Sequence, residues 1–216
     1  MDLCAVVPVK ELDRAKERLA PVLPPEQRRA LMLAMLEDVL TALAATSGLG
    51  GLAVVTVDIE ARRLATRYGA RIIELGARDG HTGAVTAAAR LLAAEGCPGM
   101  LTLPGDIPLV TPAEITQFLA AHRAAPAFTI APSRDEQGSN AIICSPPDAV
   151  PLRFGENSFF PHLAAAEATG VQPIVLRLPG IALDIDTPED LTAFASIASP
   201  TRARALLELR ERAAAS

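Results

Sequence analysis

The chain has no tryptophan and one tyrosine, Tyr68, and aromatic residues make up only 3% of its 216 positions. A platform that stacks unpaired bases needs several aromatic faces, so that mode of nucleic-acid binding is excluded. Basic charge is also lacking. The formal net charge is −5, with acids and bases interspersed, and no positive stripe of the kind that follows a phosphate backbone is present. Cysteine is scarce: Cys4, Cys97 and Cys144 lie far apart, with no CxxC or Cys/His spacing. An odd, scattered set argues against a disulfide framework or a zinc site, and predicts core or near-core thiols in a reducing compartment. No apolar run reaches membrane-spanning length, and the first residues lack the basic and apolar regions of a secretion signal. The expectation is a cytoplasmic protein that engages neither membrane nor nucleic acid. Self-association is left open.

What is abundant is aliphatic: half of the chain is hydrophobic. The Val-rich run LCAVVPV reads as a buried first strand, and PPEQRRALMLAMLEDVLTALAAT as a long amphipathic helix opened by Pro24 and Pro25. GLAVVTV, ARIIEL and GMLTLPGD read as further strands. They are separated by the helices DIEARRLATRYG, with Asp58 as N-cap, and TGAVTAAARLLAAEG. TPAEITQFLAAH carries a capping box, Thr111 with Glu114, and TPEDLTAFASI repeats the pattern after Thr187. AFTIAPS and NAIICSP read as consecutive strands and suggest an antiparallel element. The helix FFPHLAAAEATG, the strand VQPIVLRL and a charged terminal helix follow. Alternating strands and helices predict one α/β domain over residues 1–216, with a mixed, mostly parallel sheet flanked by helices on both faces.

In such a sheet, ligands collect beyond the carboxyl ends of the strands, and three polar clusters fall there. Lys10, Arg14, Lys16 and Arg18 follow the first strand; they either hold a triphosphate or form a solvated face. The segment lacks the spacing of a Walker-type loop. In LTLPGDIPLV a strand runs into Gly105, where backbone can approach a ligand, and Asp106, facing the crevice. In ALDIDTPEDL, Asp184 and Asp186 would project from one face of an extended segment. Two carboxylates about 4 Å apart repel by about 1 kcal/mol in water and about 4 kcal/mol near a protein surface. Either both face solvent or a cation compensates. Carboxylates from separate strand ends, meeting phosphate oxygens, suit Mg²⁺. Of the histidines, His122 reads as a helix-end residue and His162 lies near a candidate substrate loop. Arg153 is either a carboxylate-binding or a plain surface arginine.

The set PVK…AKERL, LPGDIPL, QGSNAI, FGENSF and LDIDTPEDL, in that order along the chain, resembles the CofC/FbiD family, the guanylyltransferases of coenzyme F-420 biosynthesis. The resemblance implies a nucleotide-diphospho-sugar-transferase-like (GT-A, Rossmann-like) fold. It implies GTP as donor, and 2-phospho-L-lactate, phosphoenolpyruvate or 3-phospho-D-glycerate as acceptor. The acceptor's phosphate would be coupled to GMP with release of pyrophosphate, and the product passed to a downstream transferase. It implies magnesium held by Asp106, Asp184 and Asp186, with Lys16, Asp106 and Asp186 as catalytic residues. It places Ser139, Gly155 and Ser158 at the phosphoacid; Lys10, Arg14, Arg18, Gly105 and Asn140 are expected to bind substrate from their places at the strand ends and in the QGSNAI motif.

The chain departs from the family pattern in having GSN in place of GTN, FGENS with Asn157 where a second glycine is common, and Thr82 in GHTGAV where an asparagine is expected. Ser158 opens a helix, so its hydroxyl could cap that helix or hold the acceptor's anion. The competing readings are a sugar-phosphate or molybdopterin nucleotidyltransferase of the same fold, or a non-catalytic GTP-binding regulator. The molybdopterin type usually has a glycine-rich loop after the first strand, which PVKELDRAK lacks.

Overall fold

In the computed structural model, residues 2–214 are described, without the side chains of Arg14, Glu211, Ala213 and Ala214. The strands are β1 (Leu3–Pro8), β2 (Leu49–Val55), β3 (Arg71–Ile73), β4 (Met100–Thr102), β5 (Ala127–Pro132), β6 (Ser139–Ser145) and β7 (Pro173–Val175). The helices are α1 (Pro25–Ala44), α2 (Ile59–Arg67), α3 (Gly80–Ala94), α4 (Pro112–Ala121), α5 (Phe159–Ala168), the single turn α6 (Pro179–Ala182), α7 (Pro188–Ala195) and α8 (Arg202–Ala214).

The strands form a seven-stranded sheet in the order β3-β2-β1-β4-β6-β5-β7. β1 pairs in parallel with β2 and β4, β2 with β3, and β5 with β7; β6 is antiparallel to both β4 and β5. Only β6 therefore runs against the rest. Its reversal brings its first residues, Ser139 and Asn140, to the edge where the other strands end.

Alternation along the strands feeds a core on each face. Leu3, Ala5, Val7 and Leu101 join residues of α1, α2, α4, α7 and α8 on one side. Val6, Val55, Met100 and Ile142 join residues of α3 and α5 on the other. Cys144 is buried, Cys4 and Cys97 are half-buried, and all three are free thiols. No helix among the described residues is long and apolar enough to cross a membrane.

The local signals hold. Asp58 accepts hydrogen bonds from the Glu60 and Ala61 N–H groups, and Thr111 and Thr187 form capping boxes with Glu114 and Asp190. Three readings are corrected. α3 begins at Gly80 rather than Thr82, because Gly80, at φ 73, turns the chain into the helix. α6, with Pro179 at its first position, lies between the expected strand VQPIVLRL and the aspartates, where no helix was expected, and β7 itself is shorter, Pro173–Val175. The Asp184–Asp186 segment is not a paired strand. It is irregular backbone, with the Ile185 N–H donating to the Asp106 carbonyl at 3.1 Å. The alternation survives: Leu183 and Ile185 are buried, and the two aspartates face away from the core.

His122, at the end of α4, is buried and hydrogen-bonded through Nδ1 to Thr129 Oγ1 and through Nε2 to Ser145 Oγ, both at 2.9 Å. Burial pushes its pKa down from 6.5 to about 4. The unfolded chain therefore takes up a proton that the fold refuses, so this contribution to stability is present above pH 6.5 and is lost as pH falls toward 4. His81 and His162 are lowered to about 4 by burial as well, and burial raises Asp184 to about 6, which acts in the opposite sense. Those three groups are common to wild type and a His122→Gln variant and cancel in the comparison. Urea unfolding at pH 7 and pH 4.5 is expected to show a smaller acid loss in the variant, by about 1–3 kcal/mol. Equal losses in the two proteins would exclude this role for His122.

Candidate active site

The loops beyond β1, β3, β4, β5 and β7, together with the start of β6, line one cleft of about 900 Å³. The segment after β1 folds into two short 3₁₀ turns, Leu12–Arg14 and Glu17–Leu19. Buried Leu12 and Leu19 anchor it, and Asp58, besides capping α2, accepts the Leu12 N–H at 3.0 Å. Between the turns Lys16 adopts the left-handed conformation at φ 53, which costs a non-glycine residue about 1–2 kcal/mol. The cost is offset inside the cleft. Lys16 Nζ lies 2.5 Å from both Asp106 Oδ2 and Asp186 Oδ1, and its side chain is only 5% exposed.

Burial works against the Lys16 ammonium, but Asp106 and Asp186 outweigh it and raise its pKa. Burial likewise works against ionised Asp186, and Lys16 outweighs it, so Asp186 is held below the usual carboxylate range. Asp184 stands apart. Burial, reinforced by Asp106 and Asp186, raises its pKa to about 6, against a hydrogen bond from Asn140 Nδ2 at 3.0 Å. Asn140 Nδ2 also reaches the Ile181 and Ala182 carbonyls, at 3.0 and 3.2 Å, and so ties β6 to the aspartate segment. Asp190 steadies the same segment from below: its Oδ2 accepts the Thr187 N–H at 2.9 Å and the Asp186 N–H at 3.3 Å. This role of Asp190 was hidden inside a sequence pattern that reads simply as a helix cap.

A second wall carries hydroxyls. Ser139 and Ser158 are both buried at the cleft surface, with Ser158 Oγ donating to Ser139 Oγ at 3.3 Å. Ser158 makes no side-chain capping bond to α5, so the capping role expected as one alternative is absent. Beside it Gly155 has φ 141, a conformation reserved for glycine, and no atom would meet a Cβ there within 4 Å. Asn157 takes the left-handed region at φ 56, the tolerance expected of it in place of glycine. Thr82 Oγ1 accepts the Phe154 N–H at 2.9 Å and donates to the Phe154 carbonyl at 3.2 Å, pinning this loop to the start of α3.

Of the residues singled out in the sequence, Lys10, Arg18, Asp106, Ser139, Asn140, Gly155, Ser158, Asp184 and Asp186 line the cleft. Lys16 lies behind the lining, in contact with Asp106 and Asp186. Arg18 is exposed and 3.2 Å from Glu156 across the mouth. The side chain of Arg14 lies outside the described residues. Gly105 has a different reason from the one expected: a Cβ there would meet Leu36 and Met32 of α1 at 3.1 and 3.2 Å, so its smallness serves packing. Arg153 is exposed and does not line the cleft, and His162 is buried behind the serines. His81, Arg134 and Gln137 also line the cleft and were missed as ligand-facing residues, because His81 is isolated at a helix start and RDEQGS reads as an ordinary polar loop between strands.

Three carboxylates against one ammonium leave the site two negative charges in excess. Asp106 Oδ1 is buried with no hydrogen-bond partner. A hard-oxygen donor set with an unsatisfied oxygen fits a divalent ion such as Mg²⁺. Among the described residues no three His, Cys, Asp or Glu side chains are grouped so as to hold a metal ion by themselves; Mg²⁺ ordinarily takes part of its shell from substrate phosphates.

The chain matches the family described as CofC-like guanylyl transferases over residues 3–210. It is 40% identical over 194 residues to a phosphoenolpyruvate guanylyltransferase of Rubrobacter xylanophilus, covering 88% of this chain and 92% of that one. A 3-phospho-D-glycerate guanylyltransferase of Colwellia psychrerythraea is 34% identical, covering 90% of this chain and 92% of its own. A 2-phospho-L-lactate guanylyltransferase of Methanothermobacter thermautotrophicus is also 34% identical, covering 96% and 90%. Among solved structures, one from Desulfovibrio desulfuricans, provisionally assigned to the nucleotide-diphospho-sugar transferases, superposes with a TM-score of 0.77 at 17% identity. It covers 98% of this chain and 96% of that one. The fold is the nucleotide-diphospho-sugar-transferase fold expected from the motifs, and the chain belongs to the CofC-like guanylyl transferase family.

Proposed function

We propose that the protein transfers GMP from GTP to the phosphate of a three-carbon phosphoacid and releases pyrophosphate. The observation that carries this reading is the Lys16 ammonium lodged between Asp106 and Asp186 at one wall of a cleft whose other wall presents Ser139 and Ser158. The relatives, named for three different phosphoacids, support the choice of nucleotide and the class of acceptor. The same reading makes the product the substrate of a downstream transferase in coenzyme F-420 biosynthesis.

An acceptor phosphate is already an anion, so its attack on the α-phosphorus of GTP needs little help from a base. The barrier lies in bringing two anions together and in stabilising charge on the leaving pyrophosphate. Lys10 and Arg18 at the cleft, with Arg14 beside them in sequence, supply positive charge for the triphosphate. Lys16, buried and fixed from both sides, supplies a charge that needs no reorganisation. Ser139, Ser158 and the open backbone at Gly155 receive the acceptor's anionic groups. Mg²⁺, when held by Asp106, Asp184 and Asp186, supplies further neutralisation of phosphate charge.

The direct test is to incubate the protein with GTP, Mg²⁺ and each of 2-phospho-L-lactate, phosphoenolpyruvate and 3-phospho-D-glycerate, and to measure pyrophosphate. Release with at least one acid is expected, and ATP should replace GTP poorly. Release with none of the three would refute the proposal. Activity should vanish on chelation and return with Mg²⁺. Asp106→Ala and Asp186→Ala should each lower turnover by orders of magnitude with little change in the circular dichroism spectrum. Full activity in either variant would sink the carboxylate site. Ser158→Asp separates the two walls: GTP should still bind in a calorimetric titration, while an added carboxylate repels the acceptor and turnover becomes slow at any accessible acceptor concentration. Wild-type acceptor kinetics in that variant would move the acceptor away from this loop.

A further inference from the structure

His162 lies on α5, 1% exposed, behind the serine wall. Its two ring nitrogens have different partners. Nε2 lies 2.9 Å from the backbone nitrogen of Arg153, which can only donate. Nε2 is therefore the acceptor, and in the neutral ring the proton sits on Nδ1. Nδ1 lies 2.9 Å from Ser139 Oγ, so His162 donates to Ser139. Burial keeps the ring neutral, with its pKa lowered to about 4. Ser139 Oγ thus accepts one hydrogen bond from His162 and a second from Ser158 Oγ. A hydroxyl has two acceptor sites and one proton. With both acceptor sites filled from behind, the Ser139 proton is left for the cleft that Ser139 lines.

We propose that His162 is a positioning residue that fixes the Ser139 hydroxyl as a donor toward the cleft, and so selects an anionic oxygen of the acceptor at that point. The proposal rests on the phosphoacid reading of the site. It assigns His162 no contact with substrate and no proton transfer. A serine free to rotate would present a lone pair part of the time, and a lone pair facing a phosphate or carboxylate oxygen is repulsive. The chain runs from the backbone N–H of Arg153, through a buried ring, to a hydroxyl, and every link has one direction.

Two conservative variants dissect it. Asn places its amide near the position of Nδ1 and can still donate to Ser139. Gln places its amide near Nε2 and can still satisfy the Arg153 N–H. With the best of the three phosphoacids as the varied substrate, His162→Phe is expected to raise the acceptor KM at least tenfold and leave the GTP KM within twofold. His162→Asn should recover most of that loss and His162→Gln little of it. Adding His162→Phe to Ser139→Ala should change the acceptor KM by less than twofold. The inference is overturned if a folded His162→Phe protein keeps its acceptor KM, or if the KM values for GTP and acceptor rise together. Equal rescue by Gln and Asn would overturn it too, and that pair decides the matter if the Phe variant fails to fold. A wild-type protein that turns over none of the three acids would defeat the phosphoacid reading and this inference with it. A working wild type with the wrong variant pattern would defeat the inference alone.

Discussion

The site depends on one buried ammonium. Lys16 is held in left-handed backbone between two short turns, and it neutralises carboxylates that arrive from two other parts of the chain, Asp106 after β4 and Asp186 before α7. Without a cation between them, these groups could not be brought together in so little water. The attraction between these groups outweighs the burial that acts against the Lys16 and Asp186 charges. It also accounts for the third carboxylate. Asp184 pairs with no basic side chain among the described residues, burial raises its pKa to about 6, and Asn140 is its side-chain donor there. The excess negative charge is thus concentrated at one point of the cleft rather than spread around it.

The sheet makes this convergence possible. Ligands of parallel α/β sheets gather beyond the carboxyl ends of strands, where each loop offers only the residues that follow its strand. β6 breaks the pattern by running the other way. Its first residues reach the same edge, and Ser139 and Asn140 enter the cleft from rigid strand rather than from loop. The acceptor wall is therefore a strand start braced by α5, while the carboxylate wall is loop braced by Lys16.

What could be read from the sequence divides along a physical line. Asp58, Thr111 and Thr187 were legible because a helix cap is a local interaction over three residues. The parallel half of the sheet followed from alternating runs. The alternation of Leu183 and Ile185 with Asp184 and Asp186 was legible too, although no strand forms there. Gly105 was misread because a glycine's reason depends on what lies opposite it, here Leu36 and Met32 some seventy residues earlier in the chain. His162 was isolated in sequence, and its meaning comes from Ser139 and the Arg153 N–H, neither of which a spacing rule connects to it. Asp190 was visible as a cap residue, but its hold on the Asp186 N–H was not.

The branching of Asn140 has a mechanical consequence. One amide nitrogen joins β6 to the Ile181 and Ala182 carbonyls and to the Asp184 carboxylate, so strand and aspartate segment are tied at three points. The FGENS loop is joined to the rest of the cleft by the paired bonds of Thr82 to Phe154, the Ser158–Ser139 hydroxyl contact and the exposed Arg18–Glu156 ion pair. The two edges are thus held by separate sets of bonds: those of Asn140 fix the aspartate segment to strand, and those of Thr82 fix the FGENS loop to the start of α3.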